Sequence, residues 1–549
     1  MKIKMQWVVL VLTLYGATAW ECGNHPQSEL EPEFVEVDSP RKLGSRSEEL
    51  KPIRIHVHYH EFDLGSSDRN NYFKNEVMNA TLEWFSSVLL VHPLENKLKM
   101  SLSTCGGVPV PEEHSTEGVN ADVIVYITSK YEPDEGWAAY AGACAMESSG
   151  RNNVVAGRTV VNSYYFNDMD FETQLLTMIH EVTHLLGFSN SLYSYYKKDD
   201  GSSYFPNEVT GEIAIRGTTK TVLRTPNLLQ KAREVFGCPS LQGLELEEMG
   251  GSGTAGSHWD RRVMYGDYMT SSVFPNPIYS TLTLALLKDT GWYEVNYAYG
   301  QDPIWGKDKG CDFFTTKCVE NSIANFEEFC TSWMEGCDVF QISKGTCNLV
   351  DYYSRLPDEF QYFSQSYRGG ADEYIDYCPV VSPYIDGSCR NINQSVQEYF
   401  GEKVCENCRC LEATLVSDEY SIRQETYSGR CHEVLSCEED HAVVLVGDKQ
   451  VKCPFSGGTV TVDGYNGYLV CPNSDILCGN SPCKNSCYGH GQCVKGKCQC
   501  ISGYGAADCS VKCKPDCSYC DSDGNCDSCG FGCKECDDSG NCLSCHRNM

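Results

Sequence analysis

The sequence predicts an α+β fold. It consists of a domain with a mixed sheet and a histidine-bearing helix, then a disulfide-rich domain, a six-cysteine module and small cysteine-rich repeats. Three observations favour this class. Strand-like apolar segments are interleaved with helical segments between residues 50 and 190. One helical segment contains His180, Glu181 and His184. Only four of the 34 cysteines precede residue 300, so we expect a conventional core first and a disulfide-stapled region after it.

The N-terminus has the pattern of a secretory signal peptide over residues 1–19. Lys2 and Lys4 precede an apolar run, and Ala17-Thr18-Ala19 has the form of a cleavage site. Residues 20–50 are polar and acidic and contain cleavable basic positions, which predicts a prosegment. We therefore expect a secreted, extracellular protein, with peripheral attachment at the cell surface as the alternative. No transmembrane helix is expected, because no later apolar run reaches about 18 residues.

The length of 549 residues exceeds one ordinary core, so several domains are expected. The formal net charge of −31 at pH 7 disfavours nucleic acid and anionic membranes as partners. Asn79 and Asn393 stand in glycosylation sequons, which fits a secreted glycoprotein.

The segment PIRIHVHYHEF alternates with the period of a strand. Its apolar side chains face one way and its basic side chains the other: Ile53, Ile55, Val57 and Tyr59 against Arg54, His56, His58 and His60. Three histidines on one strand face could bind a metal ion. The alternation of a half-covered strand explains the pattern without a metal, and we favour that interpretation.

Four further segments predict the body of the first domain. NEVMNATLEWFSSVLLV has the periodicity of an amphipathic helix, and ADVIVYITS that of a buried strand. GWAAYAGACAM and NVVAGRTVVNSYYF are predicted as two more strands.

The helix that carries the histidines is predicted to begin at Asp170 and to end at Gly187. His180 and His184 are one turn apart, so both imidazoles point to the same side. Glu181 is rotated by about 100° from His180, so it can stand beside a metal ion without binding it. This is the arrangement that metal-assisted hydrolysis requires, although two histidines at this spacing also occur by chance.

A third protein ligand is needed, and the sequence offers several. The long form of the motif would place a histidine at position 190, where this chain has Asn190. Glu208 and Glu212 lie in the window used by other zinc peptidases, but their surroundings predict turn and strand. The next histidine is His258, which follows a glycine-rich approach. Met269 comes shortly after it, as expected for a methionine turn beneath a metal ion.

The chain resembles the leishmanolysin family of metzincin metalloproteases. The resemblance rests on five segments in family order: CGGVPVPEEHSTEGVNADVIVYI, HEVTHLLGFS, GCPSLQGLELEEMGGSGTAGSHWDRR, STLTLALLKDTGWYEVNY and WGKDKGCDFFTTKC. It implies a metzincin-type catalytic domain that binds one catalytic Zn²⁺, with a sharp turn at Gly187. It also implies zinc ligands His180, His184 and His258, general base Glu181 and Met-turn residue Met269.

With this resemblance the chain divides into seven expected parts. These are a signal peptide (1–19), a prosegment (20–50), an N-terminal catalytic subdomain (51–187), a central subdomain with the third ligand and the Met-turn (188–300), a disulfide-rich C-terminal domain (301–477), an EGF-like module (478–509) and cysteine-rich C-x2-C repeats (510–549).

The expected EGF-like module rests on the spacing C-x3-C-x5-C-x4-C-x-C-x8-C. Its resemblance to that family implies disulfides Cys483–Cys493, Cys487–Cys498 and Cys500–Cys509. The following segments CSYCDSDGNCDSC and CKECDDSGNCLSC repeat a C-x2-C pattern. Behind a signal peptide, disulfides are favoured over zinc for these repeats.

Two functions remain open at this stage. The first is a secreted zinc metalloendopeptidase that cleaves extended peptide or protein substrates, with a sheet edge within 136–146 as the expected seat of the substrate. The second is a catalytically silent adhesion protein on a metzincin scaffold, whose tail binds cell-surface or matrix partners. The two functions can coexist in one chain.

Cys22 also has two interpretations. It is a candidate cysteine switch that holds a zymogen latent, because a thiolate can occupy the water position on zinc. Removal of the prosegment leaves an odd number of cysteines, so Cys22 could instead form a disulfide with a mature-region cysteine.

Overall fold

The computed structural model describes residues 30–37, 50–148, 151–251, 253–272, 277–391, 396, 398–405, 407–420, 427–438, 440–473, 475–479, 483–494, 497–514, 517, 519–525, 533–536 and 542–545. The chain forms two compact units. The first comprises Glu21–Phe314 and Pro482–Met549, and the second contains Thr315–Ser481. The signal peptide, Cys22 and Asn393 lie outside the described residues.

The first unit mixes helices and strands before residue 315. Its helices are α1 (Ser67–Tyr72), α2 (Met78–Val88), α3 (Glu112–Thr116), α4 (Ser163–Phe166), α5 (Phe171–Leu186), α6 (Pro206–Val209), α7 (Pro226–Phe236), α8 (Arg261–Met264) and α9 (Thr281–Asp289), with α10 (Asp312–Thr315) at its end. Its strands are β1 (Glu33–Val35), β2 (Lys51–Pro52), β3 (Ile55–Tyr59), β4 (Leu89–Val91), β5 (Thr104–Cys105), β6 (Val108–Pro109), β7 (Val123–Lys130), β8 (Ala139–Glu147), β9 (Val154–Asn162), β10 (Thr210–Ile215), β11 (Thr218–Leu223), β12 (Leu244–Glu245) and β13 (Glu294–Val295).

A five-stranded mixed sheet in the order β1-β8-β9-β7-β3 organises this unit. Strands β3, β7 and β9 run parallel, whereas β8 is antiparallel to β9. The strand predicted in GWAAYAGACAM is β8, and those predicted in ADVIVYITS and NVVAGRTVVNSYYF are β7 and β9.

Helix α5 packs against one face of the sheet at Gly157. A Cβ atom at Gly157 would lie 2.3 Å from Cδ1 of Leu185, so only glycine permits this close approach. Val57, Val125 and Gly157 are paired across three strands and therefore share this face. The alternate residues of β3 project from the opposite face.

The outer neighbour of β8 is β1, which comes from the expected prosegment. Glu33, Phe34 and Val35 pair in parallel with the end of β8, from Ala145 to Glu147. The Val35 side chain is 1% exposed and belongs to a core cluster on the sheet. The expected prosegment is thus hydrogen-bonded to the sheet along at least this stretch.

The second unit is built from short strands and many disulfides. Its strands are β14 (Val319–Glu320), β15 (Ile323–Ala324), β16 (Glu335–Cys337), β17 (Ser343–Cys347), β18 (Leu349–Asp351), β19 (Arg368–Gly370), β20 (Val381–Ser388), β21 (Cys408–Ala413), β22 (Val416–Ser417), β23 (Ser428–Cys437), β24 (His441–Val446), β25 (Lys449–Pro454), β26 (Gly458–Val460), β27 (Tyr465–Asn466) and β28 (Leu469–Cys471). Its disulfides include Cys318–Cys378, Cys330–Cys347, Cys337–Cys410, Cys389–Cys431, Cys405–Cys408, Cys437–Cys478 and Cys453–Cys471.

Beyond residue 482 the chain contributes again to the first unit. The strands of this tail are β29 (Gly491–Val494), β30 (Lys497–Cys500), β31 (Tyr504–Gly505), β32 (Val511–Lys512), β33 (Cys533–Cys536) and β34 (Cys542–Cys545). Residues 483–509, here called the C-terminal module, hold the disulfides Cys483–Cys493, Cys487–Cys498 and Cys500–Cys509, the same pairs that the EGF-like spacing implies.

The C-terminal module packs on two helices of the first unit. The Tyr488 ring stacks on Phe171, the first residue of α5, with centroids 3.9 Å apart. A Cβ atom at Gly489 would lie 2.6 Å from the carbonyl oxygen of Ala80 in α2. The neighbouring Asn79 is an exposed residue of α2, and its Nδ2 donates to Asn75 O over 2.7 Å.

Within the described residues, the longest helices are too short or too polar to cross a membrane.

Candidate metal centre

Helix α5 presents the two histidines of the motif on a rigid, buried segment. The side chain of Asp170 accepts a hydrogen bond from Thr173 N and caps the start of the helix. At the other end, Gly187 N donates to the carbonyl oxygens of Thr183 and His184. A Cβ atom at Gly187 would lie only 3.0 Å from Thr290 Cγ2, so glycine allows the chain to pass close to this neighbour.

The imidazoles of His180, His184 and His258 converge. Their Nε2 atoms form a triangle with sides of 2.8 Å (180 to 184), 3.1 Å (184 to 258) and 3.2 Å (180 to 258). Nitrogen ligands about 2.0–2.1 Å from a tetrahedral Zn²⁺ stand roughly 3.3 Å apart. The three nitrogens therefore fit one zinc ion, and all three side chains are buried.

Three backbone carbonyls fix the orientation of these rings. Nδ1 of His180 donates to Tyr268 O over 2.6 Å, Nδ1 of His184 to Phe188 O over 2.7 Å, and Nδ1 of His258 to Thr254 O over 2.8 Å. With the proton on Nδ1, each Nε2 presents its lone pair to the centre. The carbonyls of Tyr268 and Thr254 lie far along the chain from α5, so the motif gave no sign of them, whereas Phe188 directly follows Gly187.

Burial keeps the three imidazoles neutral. It lowers the pKa of His184 to about 4 and that of His258 to about 3, and it lowers the pKa of His180 well below its usual value. The neighbouring rings of His184 and His258 lower the pKa of His180 further. Neutral imidazole is the form that binds a metal ion, so the centre is ready to accept one at neutral pH.

Glu181 follows His180 in α5, and its side chain is fully buried. The helical turn rotates it away from the direction of its neighbours at 180 and 184. A buried carboxylate next to a three-nitrogen centre can serve as a base there.

A long insertion separates α5 from His258, and the two ends of this insertion lie close together. Asn190 N donates to Ser257 Oγ over 3.1 Å, which joins the start of the insertion to the residue before His258. Asn190 itself is exposed. The two glutamates of the predicted window lie elsewhere: Glu208 pairs with Lys198 at 2.9 Å, and Glu212 is exposed in β10.

Met269 lies in a buried turn directly linked to two of the histidine-bearing segments. Its carbonyl oxygen accepts from Trp259 N, next to His258, and the carbonyl of the preceding Tyr268 holds His180. Asp267 organises this turn, since its Oδ1 accepts from Met269 N over 2.7 Å. Burial raises the pKa of Asp267 to about 7. Sequence inspection identified the methionine but not Asp267.

The sequence of this chain is similar to that of known peptidases. The leishmanolysin family model (peptidase family M8) matches residues 53–485. The chain is 29% identical over 433 residues to the leishmanolysin homolog of Crithidia fasciculata, which covers 75% of this chain and 64% of that protein. It is 29% identical over 386 residues to the leishmanolysin of Leishmania tropica, covering 68% and 56%, respectively.

A leishmanolysin-like peptidase of Drosophila melanogaster is 26% identical over 474 residues, which covers 68% of this chain and 69% of that protein. The chain thus spans less than two thirds of the length of the Crithidia and Leishmania tropica relatives. Residues 486–549 lie beyond the region that the family model matches.

Proposed function

The chain belongs to the leishmanolysin family, and from that membership we propose that it is a zinc-dependent metalloendopeptidase. The observation that carries the proposal is the triangle of Nε2 atoms, with sides of 2.8–3.2 Å, two of which come from a helix that also holds the buried Glu181 next to His180 in sequence.

In this proposal His180, His184 and His258 hold a single catalytic Zn²⁺. The fit rests on the donor set, which is three neutral imidazoles whose second nitrogens are already bound to carbonyls. When bound, Zn²⁺ lowers the pKa of water to about 7 and acts as a Lewis acid toward a carbonyl. Met269 and its turn support the floor of the centre by linking the His258 segment to Tyr268.

Glu181 acts as the general base and then as the general acid. Its carboxylate takes a proton from the attacking water and delivers it to the nitrogen of the leaving amine. Because Glu181 belongs to the same helix as two of the ligands, its position relative to them is fixed by the backbone of α5. Transfer of one proton in this way, with cleavage of the C–N bond, balances the hydrolysis of a peptide bond into a carboxylic acid and an amine. At neutral pH the acid then releases a proton and the amine takes one up.

The substrate is an extended peptide that adds along the edge of β8 that faces away from β9. Residues Ala139–Ala143 pair with β9, and among the described residues β1 pairs with Ala145–Glu147 on the other side. Backbone groups on this edge would bind substrate without regard to sequence, as expected for an endopeptidase that accepts extended segments. The proposal places the seat of the substrate within 136–146.

The prosegment keeps the enzyme as a zymogen in this scheme. Strand β1 holds residues 33–35 against β8, at one end of the proposed substrate edge. Cys22 precedes this strand and is the candidate for a thiolate that blocks the metal centre. A disulfide from Cys22 to a mature-region cysteine is the competing assignment.

Secretion, glycosylation and an accessory role of the tail complete the proposal. The disulfides of both units fit an oxidising, extracellular compartment. Asn79 is exposed on α2 and is accessible for a glycan. We propose the C-terminal module as EGF-like and as a site for cell-surface or matrix partners, in addition to peptidase activity.

Cleavage of an unfolded protein by the purified chain, with the prosegment removed, tests this function. We expect chelation with 1,10-phenanthroline to abolish cleavage and added Zn²⁺ to restore it. A zinc-loaded chain that cleaves no unfolded protein would favour the alternative, a catalytically silent adhesion protein. Cleavage that survives chelation would contradict the metal mechanism.

A further inference from the structure

A second set of histidines lies on the face of the five-stranded sheet that is turned away from α5. His56 and His58 project from this face of β3, because their neighbours Val57 and Val125 face α5. Helix α3 covers the same face and carries His114. We call His56, His58 and His114 the outer histidine cluster.

The rings of the outer histidine cluster meet around His114. The His114 centroid lies 5.5 Å from that of His56 and 5.2 Å from that of His58, with the rings near perpendicular in both pairs. Among His180, His184 and His258, here called the inner triad, the ring centroids are 4.6–5.1 Å apart. The two ring distances to His114 thus exceed those among His180, His184 and His258 by less than about 1 Å.

His114 is the anchored member of the cluster. Its side chain is 3% exposed, and its Nδ1 lies 3.0 Å from the hydroxyl of Tyr126 on β7. A proton on Nδ1, donated to this hydroxyl, leaves Nε2 as a free ligand atom, as second partners do for metal-bound histidines. His56 and His58 are only half-buried, so an ion can reach them from solvent.

The charge around the cluster also favours a cation. Burial lowers the pKa of all three imidazoles, so they are neutral at pH 7. The carboxylate of Glu113, next to His114, acts on each of the three and partly opposes this shift. His60 directly follows β3, and its proximity also lowers the pKa of His58.

We propose that the outer histidine cluster binds a second late first-row divalent cation, with Zn²⁺ as its simplest occupant, and so ties edge strand β3 to helix α3. Two imidazoles two residues apart on a strand and a third from another element are a donor set suited to such ions. The ligand atoms do not yet converge within 4.8 Å, as those of the inner triad do, so binding requires rotation of the His56 and His58 rings.

Counting bound zinc tests this proposal on the full chain. Protein stripped of metal is dialysed to equilibrium against ZnCl₂ at micromolar free concentration, and zinc per chain is measured by plasma mass spectrometry. We expect two ions in the wild type, one in His58→Gln and one in His258→Ala. His60→Gln, altered at the histidine that directly follows β3, is the matched control and should retain two ions.

Tyr126→Phe provides a milder variant that removes only one hydroxyl. It should keep the second ion at high zinc but weaken its binding about 10- to 100-fold. Circular dichroism and peptidase activity of His58→Gln should match the wild type, which separates loss of the ion from misfolding. One ion in the wild type, or two ions in His58→Gln, would overturn the second site without affecting the inner one.

Discussion

The hydroxyl of Tyr504, in the C-terminal module, donates a hydrogen bond to Glu83 Oε1 of α2 over 3.0 Å. The other carboxylate oxygen of Glu83 lies 3.3 Å from Nε2 of His490. The rings of His490 and Tyr504 stack with centroids 3.8 Å apart, so one carboxylate receives both side chains together. This joint and the Tyr488–Phe171 stack fix the module on α2 and on the start of α5.

Loss of the Tyr488 ring should loosen the module and the first turn of α5. For Tyr488→Ala we expect the first unit to lose at least about 1 kcal/mol of stability, since a stacked aromatic pair contributes about that much. Hydrogen exchange should quicken at residues 171–174. Tyr353→Ala, at a fully exposed tyrosine of the second unit, is the control. Unchanged exchange at the start of α5 would show that the stack does not hold the helix.

Replacement of the proposed base should separate chemistry from metal binding. Glu181→Gln keeps the size of the side chain but cannot accept a proton. We expect kcat to fall about 10²- to 10⁴-fold, with zinc content and thermal unfolding close to wild type. Turnover near the wild-type rate would contradict the assignment of Glu181.

The third ligand can be tested against position 190, where the long form of the motif would place a histidine. His258→Ala removes one corner of the Nε2 triangle and should lose both the catalytic zinc and activity. Asn190→Ala, at an exposed residue, should lose neither. The measurements are the peptidase activity and the affinity of the site formed by His180, His184 and His258 for zinc. Full occupancy of the inner site in His258→Ala would mean that another residue completes it.

The prosegment offers a test of latency. If Cys22 blocks the metal, the uncleaved chain is inactive and Cys22→Ala makes it active without cleavage. Residues 33–35 remain on β8 in that variant, so removal of the whole prosegment should raise activity further. Mass spectrometry that finds Cys22 in a disulfide with a mature-region cysteine would exclude the thiolate switch.

Acid should destabilise the second unit through His432. Burial in β23 lowers its pKa to about 4, against about 6.5 in an unfolded chain. Between these values the unfolded state binds more protons, so stability falls as pH drops from 6.5 to 4, by about 3 kcal/mol in full. His432→Leu cannot take up that proton. Chemical denaturation at several pH values should show a shallower acid dependence in the variant, and an equal dependence would rule His432 out as its source.

Much of the first unit follows from local sequence signals. The N-cap at Asp170, the helical spacing of His180 and His184 and the alternation in β3 are properties of adjacent residues, and the structure has α5 and β3 at those places. His258 and Met269 required a resemblance to a family, because a long insertion separates them from α5.

Other features arise from contacts between distant segments, which no local pattern encodes. The carbonyl of Tyr268 reaches His180 only after the chain has folded back, and His114 meets His58 only because α3 crosses the sheet. The pairing of β1 with β8 could not be predicted either, because residues 33–35 are too few to show the alternation of a strand. A predicted fold can thus identify the elements while missing what holds them together.

Because the C-terminal module belongs to the first unit, that unit can be completed only late in synthesis. The first unit is completed by residues after 482, and the second unit is synthesised between its two parts. At about 5–20 residues per second, the ribosome needs roughly 10–30 s to translate that intervening stretch. During this interval Phe171 and Ala80 have no module to cover them, so the nascent chain exposes this surface until the final segment emerges and closes the unit.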